Sequence, residues 1–111
     1  MLGAANLRDI GYHFPDNASK YKNIDSKILL AECIRLIKEK GYEVSNIDAT
    51  ICAQAPKLSP HIDKMKTVLA QTTNLEIDDI SIKATTTERL GFTGREEGIS
   101  AYAVVLIEQN V

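Results

Sequence analysis

Apolar residues first recur at helical spacing in the 26–40 region, where Ile28, Leu29, Cys33, Leu36 and Ile37 fall on one side of a 3.6-residue turn. Asp25 stands before this run as an N-cap, with an oxygen for the first unpaired N–H groups, and Gly41 follows it as a left-handed stop. The period then changes to two. Over residues 42–53, Ile47, Ala49, Ile51 and Ala53 share one face while Asp48, Thr50 and Cys52 share the other, which predicts a strand with one buried side. Pro56 and Pro60 cannot donate to a ladder, so the strand ends before them. Ser59 as cap and Pro60 in the first turn predict a second helix, with Ile62, Met65, Val68 and Leu69 as its core stripe and an end near Asn74. Beyond a turn at Asp78 and Asp79, Ile80, Ile82 and Ala84 alternate with Ser81 and Lys83, so a strand runs straight into a threonine-rich segment.

The last predicted strand, residues 99–108, is apolar on both sides: Ile99, Ala101, Ala103, Val105 and Ile107 on one, Tyr102, Val104 and Leu106 on the other. Both sides then need cover. Two helices shield one face of a small sheet, so the other face is expected to meet a copy of the chain. The fold class predicted is α+β, a mixed β-sheet with helices packed on one face and a subunit interface on the other. Residues 1–7 read as the tail of a helix and residues 9–23 as a loop carrying Gly11, Pro15 and the polar run Asp16 to Lys20. No repeat or linker divides the chain, and residues 1–111 read as a single domain.

A chain of 111 residues with 44% hydrophobic residues has enough apolar surface for one core. No apolar run approaches membrane-spanning length, and residues 1–6 lack the basic region and apolar stretch of a signal peptide, so a cytoplasmic protein with no membrane partner is expected. A net charge of −2 argues against a broad nucleic-acid-binding face. A phosphorylated ligand would therefore need local compensation from backbone N–H groups, metal ions and a few cationic side chains. Cys33 and Cys52 lack Cys-x-x-Cys spacing and read as buried thiols. His13 and His61 have no partner spacing and are not read as metal ligands.

Candidate chemistry is densest in the Gly-punctuated stretch from Lys83 to Gly98. Thr85, Thr86 and Thr87 can each donate an O–H, Gly91, Gly94 and Gly98 allow backbone to approach a ligand, and Glu88 offers oxygen to a hard cation. Such a loop is suited to an anion.

Four motifs in order, Asp9-Ile10-Gly11, Phe14-Pro15-Asp16, Ala53-Gln54-Ala55-Pro56-Lys57, and Lys83-Ala-Thr-Thr-Thr-Glu88 with Gly91-Phe-Thr-Gly-Arg95, closely resemble the 2-C-methyl-D-erythritol 2,4-cyclodiphosphate synthase family. The resemblance covers the whole chain, which looks like the C-terminal two-thirds of the family domain, without its N-terminal third. It implies a phosphorus–oxygen lyase of the non-mevalonate route to isoprenoids. The 2-phosphate of 4-diphosphocytidyl-2-C-methyl-D-erythritol 2-phosphate attacks the β-phosphorus and expels CMP. Positioning and charge neutralisation carry such a transfer.

Residue by residue, the resemblance gives Thr86 the transition-state-stabilising role, with Thr85 and Thr87 beside the phosphates and nucleotide. It makes Glu88 the carboxylate for a Mg²⁺ or Mn²⁺ on the diphosphate. Residues Ala53, Gln54, Ala55, Pro56, Lys57, Leu58 and Ser59 would receive the cytosine, and Asp9, Ile10 and Gly11 the methylerythritol portion, with Phe14, Pro15 and Asp16 alongside. The family has a further acidic residue after this last motif where this chain has Asn17 and Ala18. The resemblance also implies a homotrimer. Phe92, Arg95 and Glu97 would line its axial cavity, where Arg and Glu pair between subunits and an isoprenoid phosphate is a further ligand. Its zinc ligands, an Asp-x-His pair and a later His, fall outside this chain, as does a catalytic histidine. An inactive trimer-forming fragment or pseudoenzyme that keeps the nucleotide half of the site is the alternative reading.

Overall fold

The computed structural model describes residues 1–110. Three strands, β1 (Tyr42–Cys52), β2 (Ile80–Thr85) and β3 (Ser100–Gln109), form one mixed sheet in the order β2-β1-β3. β1 pairs parallel with β2, from Ile47↔Ile80 to Cys52↔Thr85, and antiparallel with β3, from Tyr42↔Gln109 to Cys52↔Ser100. The parallel pair needs a crossover, and the helix α3 (Ile62–Thr73) supplies it. This bears out the α+β class read from the two periodicities.

The helix α2 (Ser26–Glu39) begins where Asp25 caps it, the carboxylate accepting the Lys27 N–H at 2.9 Å. Hydrogen bonding to Lys27, side chain and backbone, holds the Asp25 carboxyl below its ordinary value. Gly41, at φ 95°, turns the chain from α2 into β1. On the helix side of the sheet Ile47, Ile80 and Ile82 are buried, and Ile37, with no exposed surface, is the most enclosed large side chain. Leu2, Ala5, Cys33 and Ile37 form a core cluster, joined by Leu7, Phe14, Leu36, Tyr42, Val44 and Ile107. Burial pushes the Cys33 thiol up.

The stripe of α2 differs in detail from the spacing-based expectation. Ile28 is 57% exposed, and Ile34, which the stripe left out, is 8% exposed. The helix turns so that Cys33, Ile34 and Ile37 face inward, leaving its first turn beyond the sheet's cover. Ser59 does not cap: it is the first residue of a 3-10 turn, Ser59–His61, which leads into α3 without a side-chain cap. Residues 1–7 contain a single 3-10 turn, Gly3–Ala5, stopped by Asn6 in the left-handed region. The 9–23 loop contains the one-turn helix α1 (Ile10–His13) and a 3-10 turn, Ser19–Tyr21. Lys40 donates from Nζ to the Ala5 carbonyl at 2.6 Å, tying this N-terminal stretch to the end of α2.

β1 carries an irregularity. Val44 pairs with Ile107 and Asn46 with Leu106, so Ser45 is an extra residue with no partner of its own, a β-bulge. Beyond it the alternation continues as read from the sequence.

The second face of the sheet is polar on β1 and β2, where the Lys83 ammonium pairs with Asp48, and apolar on β3. No described residue covers β3 there: Tyr102, Val104 and Leu106 are 66%, 74% and 53% exposed. Cys52, expected to be buried, is only half-buried, because it points to this same face.

Candidate active site

β1 and β2 run side by side and end together, so the segments that follow them leave the sheet at one edge. Ala53 N–H donates to the Thr85 carbonyl at 2.9 Å, extending the pairing by one residue into both loops. Between the loops lies a cavity of about 430 Å³, lined by Ala53, Gln54, Pro56, Lys57, Leu58, Ser59, Ala84, Thr85 and Thr86. The Ala55–Pro56 peptide is cis. The cavity walls are mainly apolar, with hydroxyls on the Thr85–Thr86 side and an exposed ammonium at Lys57. The Ser59–His61 turn that opens α3 borders the cavity, so the helix presents its positive end nearby.

The three threonine hydroxyls have different duties. Thr85 Oγ1 donates to the Thr86 carbonyl at 3.1 Å, and Thr87 Oγ1 donates to the Leu90 carbonyl at 2.7 Å. Thr86 Oγ1 instead accepts the Glu88 N–H at 3.2 Å. Among the described residues, Thr86 is therefore the one of the three whose hydroxyl hydrogen has no acceptor in the protein. A ligand oxygen can take it.

The turn at Glu88 and Arg89 is unusual in holding two consecutive side-chain-bearing residues in the left-handed region, at φ 52° and 66°. Arg89 N–H donates to Gln54 Oε1 at 3.0 Å, across the cavity mouth from one loop to the other. Gly91 has φ 70° and opens α4 (Gly91–Gly94). The other two glycines serve internal packing, correcting the expectation that they approach a ligand. A Cβ on Gly94 would lie 2.6 Å from Arg89 Cα, and one on Gly98 would lie 3.2 Å from the Phe92 ring.

The structure brings together part of the candidate set. Ala53, Gln54, Pro56, Lys57, Leu58 and Ser59 meet Thr85 and Thr86 at the cavity, Ala55 is not part of its lining, and Thr87 and Glu88 continue the same turn. Asp9, Ile10, Gly11, Phe14, Pro15 and Asp16 do not line it. Leu7 and Phe14 both pack against the core cluster that takes in Tyr42, Val44 and Ile107, so the Asp9–Gly11 stretch is anchored at the opposite end of β1. An 11-residue strand separates the two places by about 33 Å. Phe92 is 51% exposed, and within one copy of the chain Arg95 pairs with Glu97.

Metal fit differs between the two implied ions. Glu88 is exposed and stands beside the free Thr86 hydroxyl, a position that suits a cation taking its other ligands from phosphate and water. Zinc requires three protein ligands in one place. Among the described residues no three His, Cys, Asp or Glu side chains are so grouped. His13 Nε2 lies 2.6 Å from the Leu7 carbonyl, a satisfied structural contact.

Sequence reading missed the bond between Gln54 and Arg89. The partners are 35 residues apart, and neither type signals the other. Gly94, following a left-handed turn closely enough to pack on it, is the one local sign that this loop folds back on itself.

A model of the YgbB family matches residues 1–108. A 2-C-methyl-D-erythritol 2,4-cyclodiphosphate synthase of Bacteroides fragilis is 70% identical over 109 residues, covering 98% of this chain and 69% of the relative. The synthase of Parabacteroides distasonis is 68% identical, covering 98% and 68%. Among solved structures, the bifunctional IspDF from Campylobacter jejuni superposes with a TM-score of 0.93 at 42% identity, over 97% of this chain and 29% of that one. A CDP complex of the Plasmodium falciparum protein IspF gives 0.85 at 32% identity, over 99% and 65%.

Proposed function

Because the chain belongs to the YgbB family and its relatives are 2-C-methyl-D-erythritol 2,4-cyclodiphosphate synthases, we propose that its cavity holds the cytidine diphosphate end of that reaction's substrate. The function is the conversion of 4-diphosphocytidyl-2-C-methyl-D-erythritol 2-phosphate to the cyclodiphosphate with release of CMP. The inactive-fragment alternative finds no support among these relatives. Among the described residues, no helix is long and apolar enough to cross a membrane.

The observation that carries the reading is the uncommitted Thr86 hydroxyl at the edge of the cavity. In the reaction an oxygen of the 2-phosphate forms a bond to the β-phosphorus, and the bond from that phosphorus to the α-phosphate oxygen breaks, leaving CMP. Charge grows on the β-phosphate's remaining oxygens. Thr86 O–H is the donor aimed at it, a task that contributes to rate because the bond strengthens in the transition state. The residue 53–59 loop takes the cytosine, its cavity walls excluding water around the base. Lys57 adds positive charge at its rim. Glu88 would hold the Mg²⁺ or Mn²⁺, which when bound neutralises diphosphate charge. Among the described residues no side chains make a zinc site.

The uncovered side of β3 supports a homotrimer, with Tyr102, Val104 and Leu106 as its contact. The separation of Asp9–Gly11 from Thr86 supports it independently. In an assembly, one copy's Asp9, Ile10, Gly11 and Phe14–Asp16 can meet another copy's nucleotide cavity, so that the methylerythritol and cytidine ends of one substrate lie on different subunits. Phe92 and Arg95 then face the axis, where an isoprenoid phosphate would bind.

Calorimetric titration with CDP, paired with a CMP-release assay, tests this reading. Thr86→Ala should spare most CDP affinity and slow CMP release. Equal loss of both would make Thr86 a simple binding contact.

A further inference from the structure

We propose that Gln54 is a positioning residue: its carboxamide oxygen, by accepting the Arg89 N–H, holds the Glu88–Arg89 turn in the shape that presents Thr86 to a terminal phosphate. This rests on the nucleotide reading of the cavity, and assigns Gln54 a part different from contact with the base.

The turn needs such a device. Residues with a Cβ are disfavoured in the left-handed region, and here two follow one another. Both of their N–H groups go to side-chain oxygens. Glu88 N–H donates to Thr86 Oγ1 at 3.2 Å, and Arg89 N–H donates to Gln54 Oε1 at 3.0 Å. The missing Cβ of Gly94 gives Arg89 room to sit where it does. Because the Thr86 oxygen accepts from Glu88, its hydrogen is turned away from that turn and left for a ligand. Glu88 N–H lies in the Thr87–Glu88 peptide plane and Arg89 N–H in the next, and the two planes are joined at the left-handed Glu88 Cα. Gln54, by holding the second plane, therefore limits how the first can turn and with it the orientation of the Thr86 hydroxyl. The bond also crosses between loops. Ala53 N–H to Thr85 carbonyl sets where the loops begin, and Gln54 to Arg89 sets how far apart they stand. With Oε1 committed to Arg89, the carboxamide cannot accept a hydrogen bond from the amino group of a cytosine through the same lone pair.

The test uses the full chain and two isosteric changes. Gln54→Met keeps length but lacks a good acceptor, and Gln54→Glu keeps length and acceptor. Amide hydrogen exchange at Arg89 is expected to accelerate about fivefold in Gln54→Met, as for loss of one hydrogen bond, and to stay near wild type in Gln54→Glu. Exchange in α2 and β1 should be unchanged in both. Titration with Mg²⁺ present should show CDP affinity in Gln54→Met falling about fivefold more than CMP affinity, because the turn also carries Glu88, which would hold the diphosphate's cation, so displacing the turn costs more than losing the Thr86 hydroxyl alone. Unchanged Arg89 exchange in Gln54→Met overturns the proposal. So does an equal loss for CDP and CMP, which would make Gln54 a base contact. Should Met overpack the loop, Gln54→Asn, one methylene shorter, withdraws the oxygen by a different route with the same expectations. A wild-type chain that binds neither nucleotide would overturn the reading of the cavity, while Arg89 exchange would still decide whether Gln54 holds the turn.

Discussion

At the ends of β1 and β2, the loop threonines and the Glu88–Arg89 turn are tied into hydrogen bonds within their own chain, and one hydroxyl hydrogen is left over. Across the outer face of β3 the reverse holds: Tyr102, Val104 and Leu106 present apolar surface that no described residue meets. The first region is specified by directional bonds, so its shape is complete in one copy. The second is specified only by surface to be buried, a non-directional requirement that another copy can satisfy. A cavity and an uncovered apolar face thus sit on one three-stranded sheet and obey different physics.

The largest expected effect strikes the second region. Val104→Asp places a charge in the middle of the uncovered face, which in a trimer would be buried without a partner, at a cost of about 3–5 kcal/mol. Light scattering should show a shift from trimer to monomer, with Arg89 exchange untouched. A variant of unchanged size would remove β3 from the interface and break the comparison.

Thr86→Ala strikes the first region without touching the assembly. Loss of one preorganised donor should slow CMP release by about 10²–10³-fold, with the particle size by light scattering unchanged. Gly94→Ala is expected next, at about 1–3 kcal/mol of stability by thermal melting, because its new methyl group meets the Arg89 backbone. Unlike Thr86→Ala it should also weaken CDP binding, since it moves the turn itself.

The smallest effect lies in neither region and serves as their control. Hydrogen bonding to Lys27 lowers the Asp25 carboxyl's pKa in the folded chain, so its capping contribution is present above the ordinary carboxylate value and is lost as pH falls through the lower folded value. Asp25→Asn should flatten the fall in thermal midpoint below about pH 4 and leave neutral-pH CDP affinity unchanged. A change in CDP affinity would show that α2 and the cavity are coupled.

The sequence made the directional elements legible where their signals are local. Asp25, Gly41, the alternation of Ile47 with Asp48, and the doubly apolar residues 99–107 each carry their own cause, and the helices, strands and open face result from them. Capping by Ser59 failed because a 3-10 turn intervenes, and Ile28 was misplaced because helical spacing fixes a stripe but not how the helix rolls on the sheet. Of the candidate site, the threonine loop and Glu88 were visible as residue types. Which threonine keeps a free hydrogen was not, since that depends on carbonyl positions set by the fold. The Gln54–Arg89 bond spans two loops that only the parallel pairing of β1 and β2 brings side by side. The distance between the Asp9–Gly11 stretch and Thr86 was likewise hidden, being set by the length of β1.

The extra residue at Ser45 gives β1 a place where its length can vary. Val44 before it and Ile47 after it both face the helices, so removing Ser45 would straighten the strand into regular alternation while every downstream side chain stayed on its present face. A one-residue deletion between Ile47 and Cys52 would instead invert the rest of the strand and carry Ala53 and Gln54 to the wrong side of the sheet. Insertions and deletions accepted during evolution of this strand should therefore collect around Ser45, upstream of the cavity, and the stretch from Ile47 to Gln54 should keep a fixed count of residues.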